Sequence, residues 1–241
     1  MERSLHRGAF LFSQRIMYDK ELFDHLAQFV TSERLELFDA IAPKRTRHVC
    51  AVLEDVYQAH NASAVLRTCD LVGVQDVHVI EDRNRYTVNP DVALGSSKWV
   101  DIHRYNTEER NTPSCVAALR NKGYRIVVTS PHVDAHTPEN IPLDVPLAIC
   151  FGTELTGASD ALIDLADDHL RIPMYGFTES YNISVSAAIV LYTITQRLRT
   201  IGGDHFIHGN ALLELKLKWL RRSLKSAAEI EARFRKERGE A

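Results

Sequence analysis

The sequence is poor in the features that mark several common classes of protein. Its four cysteines, Cys50, Cys69, Cys115 and Cys150, are scattered and include no C-x-x-C pair. That leaves no disulfide framework, and three of them sit in apolar runs as reduced, buried thiols would. No stretch approaches the ~18 apolar residues of a membrane helix. The apolar run near the start, in M-E-R-S-L-H-R-G-A-F-L-F-S, is too short for a signal-peptide core. A cytoplasmic protein without a membrane partner is expected. There is no surplus of positive charge either: the formal net charge is −3, so nucleic-acid binding would have to rest on local patches. His132 and His136 have metal-pair spacing, but Pro131 and Pro138 flank them and argue against a helix that would align them; no metal site is expected. Internal repeats and low-complexity tracts are also missing.

What is present suits a folded core. Of 241 residues, 45% are hydrophobic and 25% charged, enough for one large core or a core with appendages. A helical stripe of Leu22, Phe23, Leu26 and Phe29 predicts a helix from Asp19 or Lys20 to about Val30, and Thr31 or Ser32 caps a second helix through Ala40. The basic run K-R-T-R-H at 44–48 then leads into an alternation. Strands are expected at 49–53, 77–80, 101–105, 125–129, 147–151 and 170–173, and helices at 62–72, 113–122, 158–166 and 183–198. This rhythm predicts an α/β fold, a mostly parallel sheet with helices on both faces, which binds ligands at the carboxyl ends of its strands. After T-I-G-G-D-H at 200–205, Asn210 can cap a helix whose apolar side carries Leu212, Leu213, Leu217, Leu220 and Leu224. The pattern S-A-A-E at 226–229 reads as a capping box for a last helix. Lys216, Lys218, Arg221, Arg222 and Lys225 make this tail locally basic: a solvated face or an RNA contact.

Three corners concentrate polar residues beyond what capping needs. In the first, H-N-A-S-A-V-L-R-T-C-D, Asn61 is a good N-cap, while Arg67 falls off the buried stripe of Val65, Cys69 and Val72. Arg67 could be no more than a surface ion-pair partner of Asp70. In the second, L-A-I-C-F-G-T-E-L-T-G-A-S-D, an apolar strand enters a loop bracketed by Gly152 and Gly157, where backbone amides can approach a ligand. It lacks G-K-[ST], so it is no phosphate P-loop, and Glu154 alone could be a loop carboxylate. In the third, R-I-P-M-Y-G-F-T-E-S-Y-N-I-S-V-S-A-A, Ser180, Asn182 or Ser184 can satisfy a helix entry, yet the cluster exceeds one cap.

Taken in order, N-x-x-x-x-x-R before a helix, F-G-T-E-x-x-G after a strand, and I-P-M-x-G-x-x-x-S-x-N-x-S-x-S-A resemble the SPOUT superfamily of S-adenosyl-L-methionine-dependent RNA methyltransferases. Within it the chain looks like the TrmH (SpoU-type) tRNA/rRNA 2′-O-ribose methyltransferases, over about Val49 to Leu198. The resemblance implies a C-terminal deep trefoil knot, which pattern reasoning alone argues against, and a homodimer with its active site at the subunit interface. It implies a catalytic domain at 45–200, a helical N-terminal extension at 1–44 and a basic helical extension at 201–241. By carry-over, Arg67 is the catalytic residue, Asn61 orients it or the RNA, and Glu154, Ser180 and Asn182 shape the pocket. Thr129, Phe151, Gly152, Ile172, Met174 and Tyr181 match cofactor-contacting positions; Tyr181 departs from the aliphatic residue often found there. The implied substrate is RNA, with tRNA guanosine-18 leading and an rRNA or other tRNA ribose as alternatives. A nucleotide-dependent oxidoreductase on the same sheet would need the G-x-G-x-x-G corner that this chain lacks. A binding module that has lost catalysis is opposed by the intact motif residues.

Overall fold

The structure, a computed structural model, describes residues 17–131, 135–153 and 156–239. The chain divides into two compact units, one of residues 1–45 with 206–241 and the other of 46–205. In chain order the elements are α1 (17–27), α2 (Ser32–Ile41), β1 (Val49–Glu54), α3 (Ala59–Val72), β2 (Asp76–Ile80), α4 (Pro90–Ala93), β3 (Asp101–Tyr105), α5 (Thr112–Arg120), β4 (Arg125–Thr129), β5 (Leu147–Phe151), α6 (Asp160–Asp164), β6 (Asp168–Leu170), α7 (Ile183–Ile201), α8 (Gly209–Ser223) and α9 (Ala227–Glu237).

The larger unit holds a six-stranded parallel sheet in the order β3-β2-β1-β5-β4-β6. The central strands are continuous apolar runs because both faces are covered. Cys50, Val52, Ile126, Ala148 and Cys150 pack with Cys115, Val116 and Leu119 of α5 and with Leu162 of α6. The alternate residues Val49, Ala51, Leu53, Ile149 and Phe151 are buried as well. All four cysteines are buried, and none is in a disulfide; burial pushes the Cys115 thiol up to about 12, which makes it inert. α3 and α7 pack on one another.

Several expectations need correction. The last strand is Asp168–Leu170, not 170–173, because residues beyond Leu170 turn away to line a cavity. Helix α3 begins at Ala59 with Gln58 as its N-cap, so Asn61 lies inside the first turn and caps nothing. His208 rather than Asn210 precedes α8, and Ser226 makes no side-chain capping bond. The short α4 has no counterpart among the expected helices. Thr31 does cap α2, accepting from Arg34 N, and Ser159 caps α6 by accepting from Leu162 N. His132 lies outside the described residues, and no group of three metal-ligating side chains occurs among the described ones.

The basic run at 44–48 is absorbed by structure. In the larger unit Arg47 pairs with Asp76 and, at 2.9 Å, with Asp101. His103 bonds the other Asp76 oxygen at 2.7 Å and stacks on His78, ring centroids 4.5 Å apart. Burial would raise the Asp76 carboxyl, but His103 and Arg47 outweigh it and hold it well below the usual carboxylate range. His78 is pushed the other way from its ordinary value, down to about 3, by burial and then by the neighbouring His103.

In the smaller unit Arg45 is buried over the Trp219 ring at 5.8 Å. Trp219 also meets Phe38 of α2. Leu22 and Leu26 of α1 and Leu215, Leu217 and Leu220 of α8 are buried. Lys216 bonds Asp39 at 2.8 Å, and Arg221 grips Glu231 of α9 through two bonds of 2.6 and 3.2 Å.

Candidate active site

The carboxyl ends of β4, β5 and β6 open into a cavity of about 420 Å³, within the range of small-molecule sites. Its walls come from residues 128–131, 151–153 with 156–158, 170–174 and 179–186, together with Ile163 of α6. Thr129, Phe151, Gly152, Ile172, Met174 and Tyr181 all line it, as does Ser180. Leu170, Phe151, Ile172 and Met174 give it an apolar side. Thr129, Thr153, Thr156, Glu179 and Ser180 add polar groups, an arrangement suited to a ligand with a planar apolar part and charged ends. Thr129 donates to Cys150 O at 2.9 Å, so its hydroxyl orientation is set by the neighbouring strand.

The loop after β5 closes on itself. Thr153 N donates to Gly157 O at 2.9 Å, and Gly157 N returns to Thr153 O at 3.1 Å. A Cβ on Gly152 would lie 2.1 Å from Ala158 N and 2.4 Å from Gly157 O. Glycine is therefore required at 152 by this backbone-to-backbone contact, not only by the approach of a ligand. Gly157 has φ +71° in open space, a turn conformation that other residues resist. Glu154, expected to be a pocket residue, lies outside the described residues.

Asn61 and Asn182 meet. The side chain of Asn182 caps α7 by accepting from Ser184 N at 2.8 Å and Ser184 Oγ at 2.6 Å. Its amide nitrogen donates to Asn61 Oδ1 at 3.2 Å. The first and third corners, 121 residues apart, are thus joined beside the cavity. Arg67 is not gathered in with them. Six residues after Asn61 on a helix is a rotation of about 600°, which puts the two on different sides of α3. Asn61 is buried and Arg67 exposed, and Arg67 pairs with no described residue, Asp70 included.

Pattern reasoning missed the groups that brace these loops. Buried Glu54, at the end of β1, accepts from Ser159 N (2.8 Å), Ser159 Oγ (2.7 Å) and Thr112 Oγ1 (2.7 Å), pinning the starts of α6 and α5. Asp55, beside it, adopts φ +51° and holds the loop after β2. A carboxylate closing an apolar strand was the available signal.

The SpoU rRNA Methylase family profile matches residues 48–192. A protein of Borreliella burgdorferi named tRNA (guanosine(18)-2'-O)-methyltransferase is 42% identical over 206 residues, spanning 86% of this chain and 93% of that one. The crystal structure of the Aquifex aeolicus TrmH/SpoU tRNA modifying enzyme superposes with a TM-score of 0.71 at 27% identity, over 80% of this chain and 97% of that chain. The SpoU methyltransferase AviRb of Streptomyces viridochromogenes, solved in complex with the cofactor AdoMet, shares the fold with a TM-score of 0.55 at 21% identity, over 68% of this chain and 62% of its own.

Proposed function

The chain belongs to the SpoU rRNA Methylase family, and from that premise we propose that it transfers a methyl group from S-adenosyl-L-methionine to the 2′-oxygen of an RNA ribose, with guanosine-18 of tRNA as the leading substrate. An rRNA ribose or another tRNA ribose is the alternative substrate. The observation that carries this reading is the convergence of six residues from separate segments on one cavity, beside the Asn61–Asn182 bond.

Bound S-adenosyl-L-methionine supplies an electrophilic methyl group on a sulfonium. The residues suited to hold it are Thr129, Phe151, Gly152, Ile172, Met174 and Tyr181, whose cavity combines an apolar wall with backbone and hydroxyl groups. On the acceptor side a ribose hydroxyl is a weak nucleophile, and its oxygen gains negative charge as its proton leaves. A guanidinium offers planar hydrogen-bond donors and no acceptor, so the natural part of Arg67 is to engage phosphate and stabilise that oxygen; proton removal by Arg67 is the more demanding alternative. Asn61 and Asn182 hold the start of α3 against the start of α7. Ser180 faces the cavity, and Glu154 is proposed to shape it.

The active unit we propose is a homodimer whose active site lies at the subunit interface. Leu71 on α3 and Val185 and Tyr192 on α7 are exposed on two helices that pack together, an apolar surface of the kind a second copy covers. A trefoil knot is proposed for the segment after β6, supported by the four segments that converge around the cavity. Residues 45–200 form the proposed catalytic domain, with 1–44 and 201–241 as helical extensions that contact RNA. Incubation with methyl-labelled cofactor and total tRNA, followed by mapping of the labelled nucleotide, tests the function. Label in 2′-O-methylguanosine at position 18 is expected; label elsewhere selects the alternative substrate, and no transfer to any RNA refutes the enzyme.

A further inference from the structure

At the edge of the sheet away from the cavity, the loops that follow β2 and β3 form one braced body. Asp55 Oδ1 accepts three successive backbone N–H groups, from Asp82 (2.8 Å), Arg83 (2.8 Å) and Asn84 (3.2 Å), and Asn84 Nδ2 returns to Asp55 O at 2.8 Å. Glu81 accepts from Tyr86 N and from Arg104 Nε and Nη2 at 2.7 Å each. The second loop is tied to the first by Asn111, buried to 1% exposure, whose backbone and side-chain nitrogens both bond Asp82. Farther along, Asn89 N donates to Ser63 Oγ at 2.7 Å, which fastens the loop to α3 between Asn61 and Arg67.

This bracing uses up the loops' negative charge. Asp55, Glu81 and Asp82 are each satisfied by donors of the protein itself, and Glu108 takes the Ser114 hydroxyl. Arg83 and Arg85 on the first loop and Arg110 on the second are exposed and pair with no described residue. Of the carboxylates around them, Asp82, Glu108 and Glu109 are exposed, and Glu109 pairs with no described residue. Three guanidiniums therefore stand on a rigid support whose own acids, Glu109 apart, are engaged. A left-handed aspartate at its base, φ +51°, is a conformation that costs energy and must be held by its surroundings.

We propose that Arg83, Arg85 and Arg110 form a phosphate-binding ledge for the RNA backbone flanking the methylated nucleotide. The proposal rests on the methyltransferase reading and extends it from the ribose to its neighbours. With β2 and β3 two and three strands from β5, the ledge stands roughly 10–14 Å from the cavity side along the carboxyl edge. The start of α3, with Asn61, lies between. A rigid row of guanidiniums positions a polyanion without reading its bases.

The test uses the full chain, a tRNA transcript and the variant R83Q/R85Q/R110Q. Giving up three phosphate partners at ~0.7 each should lower the salt slope of binding by about 2, equivalent to roughly fifty-fold weaker binding at ~0.15 M salt. Cofactor affinity and the single-turnover rate at saturating RNA should be unchanged. The variant R83K/R85K/R110K should keep most of the affinity, since phosphate accepts a point charge. Wild-type affinity and slope in the glutamine variant, with methyl transfer intact in the parent protein, overturns the ledge alone. An affinity loss with an unchanged slope and no rescue by lysine also overturns it, assigning the arginines a structural part. If the parent protein neither binds nor methylates RNA, the function and the ledge fall together.

Discussion

Asn182 does two jobs that a single atom can separate. Its Oδ1 caps α7 through Ser184 N and Oγ, and its Nδ2 donates to Asn61 at 3.2 Å. Asn182→Ala removes both. The lost cap costs about 1 kcal/mol and the lost bond about another 1 kcal/mol, so the variant should be less stable by about 2 kcal/mol. Helix α7, with 19 residues and seven of them buried, should survive that loss. Asn182→Asp keeps an acceptor for Ser184 and places a negative charge at a helix N-terminus, which offsets part of the loss by ~0.3–1 kcal/mol. It has no donor for Asn61. Urea unfolding should therefore put the aspartate variant within about 1 kcal/mol of the parent, with alanine clearly below. Single-turnover methyl transfer at saturating cofactor and RNA should fall in both variants by at least about tenfold, the equivalent of one hydrogen bond of ~1.4 kcal/mol that aligns α3 with α7. An aspartate variant with the parent rate would show that Asn182 is a cap and nothing more, and the joining of the two corners would lose its functional meaning.

Arg67→Lys should lower the single-turnover rate by ~10²–10³ with folding and cofactor affinity preserved, because lysine lacks the planar fork; a parent rate on the true RNA sinks its assignment. Gly152→Val should lower both cofactor affinity by calorimetry and the melting temperature, since the added carbon collides with Gly157 and Ala158; undiminished values in both would remove that contact from the argument. Stability should fall on acidification below about pH 6.5, as the unfolded chain takes up a proton at His78 that the fold refuses until about pH 3, by up to ~1.4 kcal/mol per pH unit. The Asp76 contribution adds to this, being complete above ~pH 4 and lost as pH falls toward its depressed folded value; a His78→Gln variant whose urea stability falls as steeply between about pH 6.5 and 5 would refute the His78 share. Lys218→Gln with Lys225→Gln should weaken RNA binding at moderate salt and spare the cofactor, whereas unaltered RNA affinity would leave the tail a solvated face.

The strands of the sheet centre were legible because burial on both faces leaves nothing but apolar residues, as in Val49–Leu53 and Leu147–Phe151. The last strand was misplaced for the same reason. Asp168 and His169 are polar and hid the strand, while Ile172 and Met174 are apolar because they line the cavity, so hydrophobicity marked the site where it was expected to mark the sheet. Charge was the least legible quantity. The run at 44–48 is basic in sequence, yet Arg45 is buried over Trp219 and Arg47 is held by two aspartates 29 and 54 residues away.

A sequence shows the sign of a charge but not its partner, and the partners here are set by strand order. Glu54 reaches Ser159 across 105 residues, and Asp55 reaches the loop after β2 because β1 and β2 run side by side. The same order sorts the exposed arginines from the engaged ones. Arg104 lies within β3 beside the residues of β2, and its guanidinium meets Glu81 just past the β2 end. Arg83, Arg85 and Arg110 stand beyond the strand ends, where the nearby acids already hold backbone and amide donors. Arg104 and Arg125, within the strands, are thus taken up by Glu81 and Asp144, while Arg83, Arg85 and Arg110, past the sheet's carboxyl edge, pair with no described residue. That is also the edge where a parallel sheet gathers its loops, so the proposed phosphate ledge and the cavity are two consequences of one topology.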